Sequence, residues 1–191
     1  MEINILEAVA ATIGLIYLIL EYKASAWLWL FGVISPILYT YEFYINEVYA
    51  NMSIQIYYVV ASIYGIMVWK GIIGKQTNKQ QLPITSIPRK YIIPTVAICI
   101  CLCIAIPLIL KMYTESEVWL LDGISTALSI VGMWMLAKKY YQQWIIWIIV
   151  EPLIIGTSLQ AEMYATALLY VIYTVIAIMG YIKWKKEALK Q

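Results

Sequence analysis

Histidine is absent from the 191 residues, phenylalanine occurs twice, and charged residues make up only 13%. Without an imidazole there is no histidine proton relay and no histidine metal site. The three cysteines, Cys99, Cys101 and Cys103, crowd one apolar run at i, i+2 and i+4. That spacing is too tight along a helix to cage a metal, so they read as small lipid- or helix-facing residues. No glycine-rich phosphate loop and no nucleophile–base pair appears, which speaks against ATP-driven work in this chain, against an enzyme and against a resident cofactor. The formal net charge of +2 carries no signature of a nucleic-acid partner.

What fills the chain instead is apolar: 63% of the residues, where a soluble domain has about half. The composition predicts an all-α integral membrane protein. The first residues run into a hydrophobic span with acids before it, so no cleavable signal peptide is expected. Seven spans follow, at about 4–21, 26–45, 50–70, 91–110, 118–137, 142–160 and 163–184. Most links are short. The long one, Gly71–Lys90, holds Gly74, Pro83 and Pro88 and reads as the hinge between halves.

Positive charge sets the expected orientation. Seven alternating crossings place twelve Lys and Arg residues on one side and only Lys111 on the other. By the positive-inside rule the N-terminus is outside and the C-terminus cytoplasmic. The outer loops hold Glu2, Glu47, Glu115, Glu117 and Glu162, which either concentrate a cation at the entrance or are simply the acids left there.

The chain also repeats itself. A shift of 115 residues lays Glu47-Val48-Tyr49-Ala50 on Glu162-Met163-Tyr164-Ala165, and brings together Trp29 with Trp144, Tyr58 with Tyr173, Gly65 with Gly180 and Trp69 with Trp184. Ser35-Pro36 meets Glu151-Pro152 only after a one-residue gap. Two three-helix units joined by one crossing run parallel, which gives segments 1–70 (first repeat), 71–117 (cytoplasmic linker and linker helix) and 118–191 (second repeat and cytoplasmic tail).

Paired interruptions, Pro36 and Pro152, point to a transport site in the middle helix of each half. The last helices carry polar stripes: Asn51, Gln55, Tyr58, Ser62, Gly65 and Trp69 in one, Thr166, Tyr170, Tyr173, Ala177, Gly180 and Trp184 in the other. Ser62, Gly65 and Gly180 read as packing residues, and Gln55 and Tyr58 stand between packing and binding. The 17 Tyr and 8 Trp are partly interfacial belts, but Tyr39, Tyr58, Tyr170 and Tyr173 lie mid-span, where a polar tip needs a partner.

Glu151 is the outlying residue. It falls nine residues into its span, roughly 13 Å along a helix and near mid-membrane. An acid there costs about 2.5–3.5 kcal/mol on insertion scales and needs a partner or a wet cavity. Trp144, Trp147 and Glu151 fall at i, i+3 and i+7 on one face, two indoles and an acid that suit an aromatic cation. Pro152, lacking an N–H, also leaves the Ile148 carbonyl without its helical donor.

The stretches Asp122-Gly-Ile-Ser125-Thr126, Trp144-x-x-Trp147, Tyr164-Ala-Thr-Ala167-Leu-Leu-Tyr170 and Gly180-x-x-x-Trp184, with Trp29-x-x-Gly32, Val48-Tyr49-Ala50 and Tyr64-Gly65-x-x-x-Trp69, resemble the nicotinamide riboside transporter (PnuC) family. The resemblance implies a 3+1+3 arrangement of seven helices, like a full-length relative of SWEET sugar transporters, in a bacterial cytoplasmic (inner) membrane. It further implies homotrimers, facilitated diffusion of a vitamin precursor, and trapping through phosphorylation by a cytoplasmic kinase. In the family the substrate lies between the halves, which makes Trp144, Trp147, Gln55 and Tyr170 binding candidates. Glu151 departs from the pattern, since an amide or small polar residue is expected there. Nicotinamide riboside and thiamine are both aromatic cations, so thiamine stays an alternative substrate, and a non-transporting sensor or assembly module the alternative of another class.

Overall fold

The computed structural model describes residues 5–45, 49–73, 82–113, 118–160 and 164–190; the side chains of 5–11, 38, 39, 42–45, 49–54 and 165 are not among those described. Seven helices appear among these residues: α1 (Ile5–Tyr22), α2 (Leu28–Ile45), α3 (Tyr49–Trp69), α4 (Arg89–Tyr113), α5 (Trp119–Ala137), α6 (Gln143–Gln160) and α7 (Tyr164–Ala188). Every end lies within four residues of its hydropathy span. The largest differences are at α4 and α7, which continue through Lys111 and Lys185–Lys186. There the apolar signal stops but the backbone ladder does not, because lysine stems lie along apolar surface with the ammonium in water.

Helices α4, α5, α6 and most of α7 (from Thr166) are long and apolar enough to cross a membrane, and shorter apolar stretches lie in α1 to α3. Along α4 the side chains of Ile93, Val96, Ile100, Ile104 and Leu108 are exposed. A row of that kind is foreign to a water-soluble surface and natural against lipid.

The chain divides into two compact units, residues 1–82 and 83–191. In the first, α2 packs along α3 and touches α1. In the second, α4 packs on α5, α5 on α6 and α6 on α7. Helix α4, expected as the linker helix, thus groups with the second unit. Gly123 of α5 makes this possible, because a Cβ there would lie 2.5 Å from Pro107 Cα of α4.

The turns before α2 and α6 repeat bond for bond. Ala24 and Lys139, 115 residues apart, both take φ 52°, a left-handed conformation uncommon outside glycine. The Ala24 amide donates to Glu21 O at 2.8 Å and the Ser25 amide to Leu20 O at 2.9 Å; the Lys139 amide donates to Leu136 O at 2.9 Å and the Tyr140 amide to Met135 O at 3.0 Å. These bonds cap the carbonyl ends of α1 and α5 and aim the next helix back along its predecessor.

The second turn carries an addition. Residues 83–88 dock against it: the Thr85 amide donates to Lys139 O and the Tyr141 amide to Thr85 O, each at 3.0 Å. Gln142 accepts from the Ile87 amide at 3.1 Å and donates to Ser86 Oγ at 2.6 Å. Ile84 is buried, and Ile87 packs against Val131, Met135 and Tyr140 together with Cys99. The long loop is therefore tied to the second unit at its Pro83–Pro88 end.

Candidate functional site

The α6–α7 pair is built around an indole over a glycine. A Cβ on Gly180 would come within 2.6 Å of the Trp144 ring, so only glycine lets α7 approach. Trp144 is fully buried and meets Trp184 edge-on, with centroids 5.6 Å apart and planes at 89°. In the first unit Gly65 would clash with Trp29 at 2.4 Å, and Trp29 meets Trp69 edge-on at 5.4 Å and 88°. Trp144, expected as a wall for substrate, is placed as the packing centre of its helix pair.

One turn steps from Gln143 to Trp147 and another to Glu151, on one face of α6. Gln143 is fully buried, and its side-chain oxygen accepts the Trp147 indole N–H. Trp147 stays half-buried, its ring edge against Gly132 of α5. Glu151 is 6% exposed, in the middle of the helix and inside an apolar run of sequence. Across on α7, Tyr173 lies within electrostatic reach of the Glu151 carboxylate. Tyr170 packs on Tyr173 at 5.3 Å, and Thr174 donates to the Tyr170 carbonyl at 2.9 Å.

The two prolines differ in surroundings. Pro36 is buried, and the Gly32 carbonyl that it leaves without a helical donor accepts from Ser62 Oγ of α3 at 2.7 Å. At the 115-residue offset Pro36 matches Glu151, Gly32 matches Trp147 and Ser62 matches Ala177. The slot that proline and serine close in the first unit therefore holds a carboxylate and a methyl group in the second. Pro152 itself is exposed.

Of the expected site residues, Glu151, Tyr173 and Tyr170 come together in the second unit, with Trp147 one turn from Glu151 on the same face of α6 and Trp144 buried against Gly180 and Trp184. Gln55 and Tyr58 are half-buried on α3 of the first unit, where Tyr58 packs against Tyr57 at 5.7 Å. The Tyr39 side chain lies outside the described residues.

Two residues escaped the sequence reading. Glu21, 1% exposed, is a second buried acid, one turn beyond Tyr17, which lies within electrostatic reach of both Glu21 and Tyr58. Its place next to Lys23 disguised it as a solvated helix end. Gln143 was missed because it precedes the apolar run. Extending the Trp147–Glu151 face back one turn finds it. Among the described residues no cluster of acids and cysteines is arranged for a metal.

The chain matches a family model described as nicotinamide mononucleotide transporter over residues 4–186. It is 24% identical to the nicotinamide riboside transporter PnuC of Escherichia coli (strain K12), across 98% of this chain and 87% of that one. With the nicotinamide riboside transporter PnuC of Neisseria mucosa it shares 27% identity, across 95% of this chain and 72% of the other. A crystal structure of the vitamin B3 transporter PnuC is similar with a TM-score of 0.71 and 26% identity, covering 95% of this chain and 81% of that one. With seven helices, exposed apolar faces and a match along nearly its whole length, the chain belongs to the nicotinamide mononucleotide transporter family: it is a multi-pass membrane transporter, not an enzyme.

Proposed function

We propose that the chain carries nicotinamide riboside across the membrane by facilitated diffusion. The observation that carries this reading is the buried Glu151 carboxylate, one turn from Trp147 and across from Tyr173, in a chain whose relatives are named for that substrate. Nicotinamide riboside is a pyridinium cation without phosphate. A mononucleotide would bring its phosphate toward a carboxylate in a low-dielectric site, where like charges repel strongly. The indole face of Trp147 adds cation–π attraction of about 0.5–2 kcal/mol to a desolvated cation. Trp144 supports that wall from behind, and Tyr170, Tyr173, Gln55, Tyr58 and Tyr39 are the further contacts proposed.

The same reading takes the fold as two parallel three-helix repeats joined by α4, on the strength of the matched turns and Trp–Gly pairs. The lysine asymmetry supports an external N-terminus and a cytoplasmic C-terminus in a bacterial inner membrane. Assembly as a homotrimer, and trapping of the product by a cytoplasmic kinase, complete the proposal.

Proteoliposomes test it. Labelled nicotinamide riboside should equilibrate across the vesicle membrane in a saturable way, and accumulate only when a riboside kinase and ATP are enclosed. Accumulation driven by an imposed proton or sodium gradient would overturn facilitated diffusion and recast Glu151 as a coupling residue. Saturable uptake of thiamine, with none of the riboside, would reassign the substrate.

A further inference from the structure

Gln143 lies at a position where the scaffold asks for no polar group. Its counterpart at the 115-residue offset is Leu28, and both are 0% exposed. The backbone around them is the same: the Leu28 amide donates to Ser25 O at 3.1 Å and the Gln143 amide to Tyr140 O at 3.0 Å. Leucine fills this place in the first unit without any unpaired donor. Glutamine fills it in the second at a cost, because its side-chain Nε2 is buried and has no hydrogen-bond partner among the described residues. Burying an amide N–H without a partner opposes folding, so folding alone does not account for glutamine here.

What glutamine adds is an acceptor aimed along the helix. Its Oε1 takes the indole N–H of Trp147, one turn on. An indole on a helix has two torsions, and the ring of Trp147 is otherwise held on one edge by Gly132 and partly open. Fixing the N–H selects one orientation of the ring plane beside Glu151. The matching place in the first unit is Gly32, which has no ring to orient, and leucine suffices there.

We propose that Gln143 is a positioning residue for the substrate site, holding the Trp147 indole so that its face is presented to a planar aromatic cation. This rests on the reading of Trp147 as a wall of that site. Gln143 acts through Trp147 and need not touch the substrate.

The test is calorimetric titration of nicotinamide riboside into the purified wild type, Gln143→Leu, Trp147→Phe, the double variant and Trp147→Ala, with thermal unfolding of each. Gln143→Leu should unfold at the wild-type temperature or above it, as leucine already fits this slot in the first unit, and bind roughly threefold to tenfold more weakly, the weight of one net hydrogen bond. Trp147→Phe keeps a ring face but loses the N–H, so the double variant should bind as Trp147→Phe does alone. Wild-type affinity in Gln143→Leu, or additive losses in the double variant, would overturn the proposal while leaving the site in place. Undiminished binding by Trp147→Ala would instead remove Trp147 from the site, and the role of Gln143 with it.

Discussion

In the first unit α2 lies along α3 with the Trp29 indole over Gly65 and edge-on to Trp69. In the second, α6 lies along α7 with Trp144 over Gly180 and edge-on to Trp184. Each pair follows a turn whose left-handed residue, Ala24 or Lys139, makes the same capping bonds. The two units also diverge one turn up the middle helix. There the first unit has Gly32 and Pro36 with Ser62 bonded to the Gly32 carbonyl, and the second has Trp147 and Glu151, with Tyr173 near the carboxylate and Ala177 at the position of Ser62. Duplicated packing leaves the backbone positions fixed. With positions fixed, one copy is free to carry an expensive carboxylate while the other closes the equivalent slot with uncharged groups. The packing is thus the same in both copies, while the buried acid of the middle helix is particular to the second.

The strongest way to break the comparison is to attack the shared part. Gly65→Ala and Gly180→Ala each force a Cβ to within 2.4 and 2.6 Å of a buried indole. Both should lose about 1–3 kcal/mol or more of stability through overpacking, seen as a lowered midpoint in thermal unfolding. A loss confined to one variant would mean that the pairs are not equivalent.

Next comes the seal. Ser62→Ala removes the donor to the Gly32 carbonyl, which Pro36 cannot replace, and should cost roughly 1–2 kcal/mol by the same assay. Ala177→Ser, its mirror in the second unit, should not return a comparable gain, because the carbonyl freed by Pro152 lies one residue further round α6. Equal and opposite effects would show the two slots to be interchangeable.

The docked loop, found among the described residues on the second turn alone, gives a smaller effect. Gln142→Ala cuts the links to the Ile87 amide and Ser86 Oγ. It should cost about 0.5–1.5 kcal/mol per net hydrogen bond lost, and speed hydrogen exchange of the Ile87 amide while sparing the Ala24 turn.

A last effect, read out through pH, concerns Lys139 against Ala24. Burial lowers the Lys139 ammonium from its ordinary 10.5 to about 8, and the Glu187 carboxylate offsets part of that. Between those values the unfolded chain binds more protons than the folded one, so this lysine makes stability rise with pH across that window. Below it both states hold the proton and the burial penalty is full. Lys139→Met should flatten the rise, as measured by denaturant midpoints from neutral to alkaline pH. An unchanged slope would place the ammonium in water.

The seven spans were legible because hydropathy is a local pattern, and the matched turns because their residues recur at a fixed offset. Glu151 was legible for the same reason, an acid inside an apolar run. The fate of Trp144 was not. Its spacing puts it on a face with Trp147 and Glu151, but a missing side chain 36 residues on, at Gly180, draws its ring into the helix pair instead. Gly65 and Gly180 read as packing residues from the sequence, but nothing local says that the ring each one seats is Trp29 or Trp144. Glu21 and Gln143 stayed hidden because burial at a helix end is decided by the neighbouring helix, not by the flanking lysines and glutamines. The docking of residues 83–88 had no signal at all beyond its prolines, since it depends on backbone groups that every sequence has.

Glu151 decides the account most directly. Calorimetric titration of nicotinamide riboside into the wild type and Glu151→Gln, from mildly acid to mildly basic pH, compares a carboxylate with its uncharged isostere. Wild-type affinity should improve as pH rises and the carboxylate ionises. Glu151→Gln should bind at least about tenfold more weakly where the wild type is ionised, with a flat pH profile and unchanged protein yield. Equal affinities with the same pH dependence would contradict the account: the charge would then be structural, and the aromatic walls alone would select the substrate.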